Sequence, residues 1–548
     1  MLNKNYKITT NTEHIAAGDM FFCFYEAEKY LTLDTFKKSA KIYATKGFKN
    51  RIKKKIQINS YKDKINENFR DNLELKKKLI KELKQKYYKK EKPYLIAITG
   101  TKGKTTTAWF AAQNIVNYSN NIKCGYIGTL GVYIFEKANC KPEKIKNYTL
   151  TTPNIDELYF YINLLKNEGV EVVIFEVSSH ALSQGRIDGL KISCGCFTNF
   201  SEDHLDYHKT MEEYFKAKSL LFSKYLDKNG LAIINSSDKK SKDLINICKN
   251  RNIKTITIGF NKGDNVSIKN IGIKNKKNEL CSYADIISKD FLPKNKQFLF
   301  KNIIGDFNIQ NALEALSICY NYFNHIKSSK LEKIQHTNEI NIKCPPGRLE
   351  LINFKNDNQS INNPYIIVDF AHTPKSIEEV LKLLRDNFDV IFVVFGCGGD
   401  RDKKKRPIMF EIVLHLADVI FITSDNSRSE KTEDIINDIT CYYNKNKNNP
   451  LYKDKFVQKE IKNINNSLKN FKKCNFTKYS FNKINIEVNR EKAINSAIKI
   501  AKSCINKIKA KYCILVTGKG DEEYQIIGNE KKHFNDKEVI LKILSKQS

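Results

Sequence analysis

No apolar run in this chain approaches the ~18 consecutive residues of a membrane-spanning helix, so a soluble protein is expected. The opening stretch MLNKNYKITTNTEHIAAGDMFFCF lacks an apolar core of roughly 7–15 residues followed by a small-residue cleavage site, which argues against secretion and for a cytoplasmic setting. None of the 14 cysteines forms a CxxC pair, and Cys194 and Cys196 sit in an apolar run where core packing suits them better than zinc. Free thiols in a reducing compartment follow. Internal repeats and a low-complexity tail are also missing.

Charge of one sign is abundant: the formal net charge is +33. Clustered Lys and Arg would point to nucleic acid. Here the excess is spread along the chain among Asn and Ile, so it reads as a solvated surface, and no nucleic-acid or membrane partner is expected. A polyanionic substrate would still benefit from the field.

At 548 residues the chain exceeds what one core organises, and two or three domains are expected. Residues 1–92 form a first segment. Its second half, Asn50 to Lys92, is Lys-rich with neither Pro nor Gly before Pro93, and reads as a weakly packed helical extension or linker. From Pro93 the pattern is strand, glycine loop, helix, then the strand-like runs VEVVIFEV and LAIIN with helical stretches between, which predicts a mostly parallel α/β sheet over 93–343. A second alternating series, YIIVDF, VIFVVFG, DVIFITS and YCILVTG, predicts a Rossmann-like domain over 344–548. The fold class expected is α/β in three domains.

Gly100-Thr101-Lys102-Gly103-Lys104-Thr105-Thr106 follows an apolar strand and opens a helix. In that context backbone N–H groups and the helix N-terminus can cradle phosphates, Lys104 can bridge the β- and γ-phosphates, and the Thr105 hydroxyl can ligate Mg²⁺. The loop departs from GxxxxGK[ST], because position 98 is Ile. Glu176 ends the run VVIFE, and a carboxylate at that end of a buried strand faces the crevice where open sheets bind ligands. It would suit a metal.

AITGTKGKTTT, the Thr151-Thr152-Pro153 turn, EVSSHAL and FTNFSEDHLDYHKTMEEYFKAKSLLF resemble, in order and spacing, the central domain of the Mur ligase family. GDFNIQNALEA, PPGRLE, VDFAHTP, FGCGGDRDKKKRP, SDNSR and TGKGDEEYQ are similar to the branch that extends UDP-MurNAc-L-Ala-D-Glu by a third residue. The resemblance runs from about Pro93 to Glu538. It implies an acid–amino-acid ligase that uses ATP and Mg²⁺, forms an acyl phosphate on the D-Glu γ-carboxylate and releases ADP and phosphate; a monomer is expected.

Residue by residue, the resemblance implies catalytic roles for Lys104, Glu176, His204 and Lys218. Thr105, Glu176, His204 and a CO₂-derived carbamate on Lys218 would form the metal site. A bare ammonium would be repelled by Mg²⁺, whereas a carbamate offers an anionic oxygen; read alone, Lys218 is a solvated lysine on a helix predicted over Met211–Phe222. Asn308, Asn311, Arg348 and Asp369 would join the glycine loop in holding ATP between the central and C-terminal domains. Thr12, Thr151, Thr152, Ser178, Gln184 and Arg186 would hold UDP-MurNAc-dipeptide. Arg401, Asp425, Asn426, Ser427, Arg428, Gly518 and Glu522 would hold the incoming amino acid.

Arg428 favours meso-diaminopimelate, because the family's diaminopimelate enzymes use it on the distal carboxylate. Ser427 stands where Pro is usual and Asp521 where His is usual, which leaves L-lysine and L-ornithine open. In the N-terminal segment Thr12-Glu13 replaces the usual Ser-Arg pair ahead of Ala17-Gly18-Asp19. Two rivals remain: a related ligase of the folylpolyglutamate or cyanophycin synthetase type, against which HLDYH and DNSR argue, and a non-catalytic basic nucleotide-binding protein, against which Lys104, Glu176, His204 and Lys218 argue.

Overall fold

The computed structural model describes residues 7–546 apart from 12–14, 16–18, 24–34, 36–37, 40, 46–64, 89–92, 120, 149, 277–278, 290–294, 327–337, 353–362, 469–483 and 506–509. The chain divides into two compact units. One comprises Met1–Lys269, Asp285–Lys296 and Gln310–Thr337; the other comprises Asn270–Ala284, Gln297–Ile309 and Asn338–Ser548.

In the first unit, β1 (Ile8–Thr9), β2 (Met20–Cys23), β3 (Lys41–Thr45) and β4 (Ile65–Phe69) form a parallel sheet in chain order. Helix α1 (Asn72–Tyr87) follows, its N-terminus capped by the Asp71 side chain. Leu75, Leu79, Leu83 and Tyr87 recur every four residues, so the helical period puts them on one stripe, and all four are buried. This corrects the expectation of a weakly packed Lys-rich extension. The lysines lie off the buried stripe, and Lys76 pairs with Asp188 at 2.7 Å. Residues 50–64 and 89–92 of that segment are outside the described residues.

The larger sheet of this unit runs in the order β12-β11-β10-β5-β9-β6-β7-β8. Its members are β5 (Tyr94–Thr99), β6 (Lys123–Gly128), β7 (Gly131–Phe135), β8 (Glu143–Lys146), β9 (Val170–Glu176), β10 (Ile192–Phe197), β11 (Leu226–Asn235) and β12 (Lys254–Gly259). Pairing is parallel from β12 to β6 and antiparallel beyond it. Because β5 lies between β9 and β10, with Ile98 opposite Glu176 and Thr99 opposite Phe197, three carboxyl ends emerge side by side. That edge is the crevice at which open α/β sheets bind ligands. Helices α2 (Lys104–Tyr118), α3 (Ile155–Asn167), α4 (Ser179–Gln184), α5 (Leu205–His208), α6 (Met211–Leu220) and α7 (Ser241–Asn250) connect the strands. The helix expected to reach Phe222 stops as an α-helix at Leu220 and continues as a π-helical turn, Leu221–Tyr225.

Strands β13 (Val266–Lys276), β14 (Glu279–Ser288) and β15 (Asn295–Lys301), helix α8 (Asp306–His325) and β16 (Glu339–Ile340) come next in the chain. In the second unit, the sheet order is β17-β18-β22-β19-β20-β21: β17 (Glu350–Ile352), β18 (Tyr365–Asp369), β22 (Tyr512–Thr517), β19 (Val390–Phe395), β20 (Val419–Ile422) and β21 (Ile484–Ile486). All but β17 are parallel, the Rossmann-like arrangement expected from the alternating runs. Helices α9 (Pro374–Asn387), α10 (Lys405–Leu416), α11 (Thr432–Thr440), α12 (Lys455–Leu468), α13 (Arg490–Ile505) and α14 (Asp536–Ser545) accompany it, with a hairpin of β23 (Tyr524–Ile527) and β24 (Glu530–His533). No described helix is long and apolar enough to cross a membrane.

The chain's one tryptophan, Trp109, is buried in the first unit and reports its unfolding. Leu79→Ala should lower that unit's stability by about 2–5 kcal/mol in denaturant titrations followed by Trp109 fluorescence. Lys81→Ala, at an exposed position of α1, should change it by under about 0.5 kcal/mol.

Candidate functional site

The glycine loop between β5 and α2 is held on one side by the segment after β10. Thr101 N–H donates to the Asn199 carbonyl at 2.9 Å, Lys102 N–H to Asn199 Oδ1 at 2.9 Å, and Thr198 Oγ1 to the Lys102 carbonyl at 2.6 Å. Gly100 has φ 153° and a Cβ there would lie 1.9 Å from Thr198 Oγ1, so no side chain fits. At Gly103, φ 82°, a Cβ would meet Asn311 Oδ1 at 2.6 Å. Lys104 Nζ curls over the loop to the carbonyls of Gly100 and Thr101 at 2.9 and 3.0 Å.

Glu176, fully buried at the end of β9, accepts from Thr105 Oγ1 (2.9 Å), Thr129 Oγ1 (3.2 Å), Thr129 N–H (2.9 Å) and Tyr126 OH (2.5 Å). Burial, then the neighbouring carboxylate, pushes the Tyr126 phenol well above its ordinary value, which keeps it a donor. A Cβ on Gly128 would sit 2.2 Å from Glu176 Oε1; the glycine leaves that oxygen its space.

Lys218 is not the solvated helix lysine that base rates suggest. It is buried at the end of α6, donates from Nζ to the Gly100 carbonyl at 2.7 Å, and lies 4.5 Å from the Tyr214 ring centroid. Burial, reinforced by the cation of Lys104, drives its pKa well below that of an ordinary lysine. A neutral amine has a lone pair able to attack CO₂. His204, with φ 52° ahead of α5, has its ring 4.9 Å from that of His180 and 6.0 Å from that of Tyr214. Tyr214 OH in turn contacts Thr101 Oγ1 at 3.2 Å. Among the described residues no three His, Cys, Asp or Glu side chains gather as a metal cage. Unmodified, the loop offers a hard cation the Glu176 carboxylate and hydroxyls, with the Asp203 carboxylate near enough to act on Lys218. A carbamate on Lys218 would add an anionic oxygen there.

The residues assigned to the dipeptide substrate form one network. Thr152 Oγ1 donates to the Glu176 carbonyl at 3.0 Å and accepts from Ser178 N–H at 3.0 Å, while Thr129 Oγ1 lies 3.4 Å from Thr151 Oγ1. Arg186 donates to the Thr152 carbonyl at 2.7 Å and to Gln184 Oε1 at 2.9 Å. Among the described residues it pairs with no carboxylate, so its fork keeps capacity for an anion. Thr12 is outside the described residues.

Of the nucleotide residues, Asn311 belongs to the first unit and accepts from Thr107 Oγ1 at 3.2 Å. Asn308, Arg348 and Asp369 belong to the second. There Asp369 accepts the backbone N–H groups of Leu349 and Ala371 at 2.7 and 2.8 Å, and Arg348 stacks on Phe370 with its Nε buried and unpartnered.

The acceptor residues also converge within the second unit. Asn426 Nδ2 donates to Glu522 Oε2 at 2.7 Å, and a Cβ on Gly518 would touch Asp425 Oδ2 at 2.7 Å. Arg428, φ 51°, donates to the Gly399 carbonyl at 2.7 Å. Arg401 and Arg428 both flank Gly398, where a Cβ would meet Arg428 Nη1 at 3.0 Å and Arg401 Cγ at 3.8 Å. The Arg428 guanidinium and the Glu522 carboxylate thus supply opposite charges, a combination suited to an amino acid that carries both, while Arg401 is exposed and its Nη1 donates to the Asp400 carbonyl at 3.3 Å. Ser427 behaves differently: its hydroxyl is buried against Thr432 Oγ1 at 2.6 Å.

Sequence reasoning missed the supports. Lys519, fully buried, donates to Glu522 Oε2 at 3.2 Å and to the Tyr524 carbonyl at 2.6 Å. Arg490 forks onto Asp536 at 2.7 and 2.8 Å and donates to the carbonyls of Ser424 and Thr517, at the roots of both acceptor loops. The only signal for Lys519 was its place inside TGKGDEEYQ; Arg490 had none. Glu430 accepts Asp400 N–H and is gripped by Arg406, which also bonds the Gly398 carbonyl at 3.1 Å.

Comparison with known proteins identifies the family. Residues 98–319 match the Mur ligase middle domain and residues 347–520 the Mur ligase glutamate ligase domain. The chain is 33% identical over 463 residues to the UDP-N-acetylmuramoyl-L-alanyl-D-glutamate--2,6-diaminopimelate ligase of Rickettsia rickettsii, covering 84% of this chain and 81% of that protein. It is 35% identical over 457 residues to the ligase of the same name from Clostridium perfringens (strain 13 / Type A), covering 83% and 79%. A solved structure of a ligase of that name superposes with a TM-score of 0.60 at 23% identity, over 99% of this chain and 95% of that one, and shows the shared fold.

The Arg406 hydrogen bonds hold the Glu430 carboxyl at about 2, against an ordinary value of 4.5. A depressed folded-state value contributes stability that is fully present above the unfolded value and is lost as pH falls towards about 2. The second unit should therefore melt progressively earlier across that acid window, and Glu430→Gln should flatten the dependence in calorimetric scans.

Proposed function

Since the chain belongs to the Mur ligase family and is an ATP-dependent amide ligase, we propose that it joins meso-diaminopimelate to UDP-MurNAc-L-Ala-D-Glu in the making of a peptidoglycan precursor. The observation that carries this reading is the convergence on one glycine loop of Glu176 from β9 and Lys218 from α6. We further take the chain to act as a monomer in three domains, 1–92, 93–343 and 344–548, in a cytoplasmic setting that suits its free cysteines.

The first step must bring together two anions, a nucleotide γ-phosphoryl group and the D-Glu γ-carboxylate. In the Gly100–Thr106 loop the N–H groups of Thr101 and Lys102 are held by Asn199, so those from Gly103 onward, at the amino end of α2, receive the phosphates, and Lys104 offsets their charge. On the family's pattern Asn311 joins that loop, and Asn308, Arg348 and Asp369 are the nucleotide residues carried by the second unit. Arg186, with Thr151, Thr152, Ser178 and Gln184, orients the dipeptide so that its carboxylate oxygen attacks phosphorus in line and ADP leaves. The acceptor's amine then attacks the acyl carbon, the tetrahedral adduct collapses, and phosphate departs. Thr105, Glu176, His204 and a carbamate on Lys218 would hold Mg²⁺, which supplies charge neutralisation at the transferring group.

At the acceptor end Arg428 and Arg401 receive the distal carboxylate, and Glu522, held by Asn426 and Lys519, receives an ammonium group. Ser427 is spent on Thr432, so its replacement of the usual Pro leaves this charge pattern intact.

Given ATP and UDP-MurNAc-L-Ala-D-Glu, the protein should form a product of the diaminopimelate-containing mass in preference to the lysine or ornithine products. Phosphate release with a monoamino acid alone would refute the assignment. Arg428→Gln should lower kcat/KM for diaminopimelate by about 10–100-fold, as expected for a lost charged hydrogen bond. Lys218→Ala should abolish turnover, with partial recovery on adding short carboxylic acids.

A further inference from the structure

Helix α8 carries a carboxyl group that the ligase mechanism does not use. Glu314 is fully buried, and no Lys, Arg or His is paired with it among the described residues. Its Oε2 lies 3.2 Å from Thr107 Oγ1, on the first turn of α2 after the glycine loop, and 4.0 Å from the Cys196 sulfur; its Oε1 is buried with no partner. Thr107 Oγ1 lies equally close, 3.2 Å, to Oδ1 of Asn311, the residue whose Oδ1 fills the space a Cβ on Gly103 would need.

Counting protons decides how this trio is wired. A hydroxyl has one hydrogen to donate, yet Thr107 faces two acceptor oxygens. If the hydroxyl donates to Asn311 Oδ1, the contact with Glu314 can be a hydrogen bond only if the carboxyl donates. If instead Asn311 turned its amide nitrogen to Thr107 and the hydroxyl served an ionised Glu314, a charge would sit in the core with one oxygen bare and no cation, which costs several kcal/mol. The Cys196 thiol, kept protonated by burial, can donate to Oε2, but a weak S–H contact at 4.0 Å is no counter-charge and leaves Oε1 bare. Burial likewise raises that of Glu314.

We infer that Glu314 is a protonated positioning residue, the head of a relay Glu314 O–H to Thr107 O–H to Asn311 Oδ1 that fixes the orientation of the Asn311 amide beside the phosphate loop. With its oxygen committed to Thr107, Asn311 turns the other end of its amide to the nucleotide, a consequence that rests on the ATP role assigned to Asn311 above. Glu314 touches neither substrate nor metal. Its contribution is the sense of a hydrogen bond two side chains away.

Two measurements on the full-length protein test this. The first is ADP titration calorimetry together with the KM for ATP. Glu314→Gln, which keeps a donor, should hold ADP affinity within about twofold, while Glu314→Met, similar in size but with no donor, should weaken ADP binding and raise KM for ATP by about tenfold with kcat little changed. Equal loss in both variants, or wild-type affinity in Glu314→Met, overturns the relay. The second is the infrared difference spectrum between wild type and Glu314→Gln at about pH 8, far above an ordinary carboxyl pKa. A protonated carboxyl C=O band belonging to Glu314 is expected; carboxylate bands alone overturn the inference even if Glu314→Met does not fold. Because calorimetry and the spectrum need no acceptor amino acid, they stand even if the diaminopimelate assignment fails.

Discussion

Everything in the first unit is arranged around the repulsion between two anions that have to react. A phosphate loop alone binds a nucleotide; it does not bring a carboxylate to it. The β9-β5-β10 order puts the ends of three buried strands beside one another, so Glu176, the glycine loop and the Thr198–Asn199 segment are fixed by backbone pairing before any side chain is chosen. Onto that frame α6 adds Lys218, held against the Gly100 carbonyl without a solvent shell. The loss of hydration that makes a buried ammonium costly also makes the neutral amine available for reaction with CO₂.

The second unit solves a different problem, that of fixing charges of opposite sign within a small space. Glu522 has one oxygen occupied by Asn426 and Lys519, while Arg401 and Arg428 approach around Gly398. Ion pairs at the loops do the holding: Arg490 with Asp536, both fully buried, and the buried Arg406 with the partly buried Glu430 and Asp438. Such a pair fixes geometry, because breaking either half would leave a poorly hydrated charge alone.

Much of this was legible in the sequence, for a physical reason in each case. The parallel strands announced themselves as β-branched runs, and the loop and the VVIFE terminus were readable because phosphate binding restricts which residues fit between a strand and a helix. Lys218 was assignable only through family resemblance, since a lysine among charged helix neighbours looks solvated and its burial depends on the loop it packs against. The helix Asn72–Tyr87 was misjudged because its lysines outnumber the four apolar positions that make its buried stripe. Arg490 and Glu314 escaped because their roles arise from partners distant in the chain, and a single sequence does not display such pairings; Lys519 has partners close in the chain, Glu522 and Tyr524, but its complete burial is set by the fold around the loop. Ser427, flagged as a departure, proved to be a local substitution satisfied by Thr432.

The proposed mechanism turns on conversion of the buried amine at the glycine loop into an anionic oxygen ligand. Carbon-13 NMR of the protein equilibrated with ¹³C-bicarbonate tests it most directly. A carbamate carbon resonance is expected in the wild type and should disappear in Lys218→Ala. A wild-type spectrum without that resonance, from protein that turns over equally well after CO₂ has been removed, would contradict it.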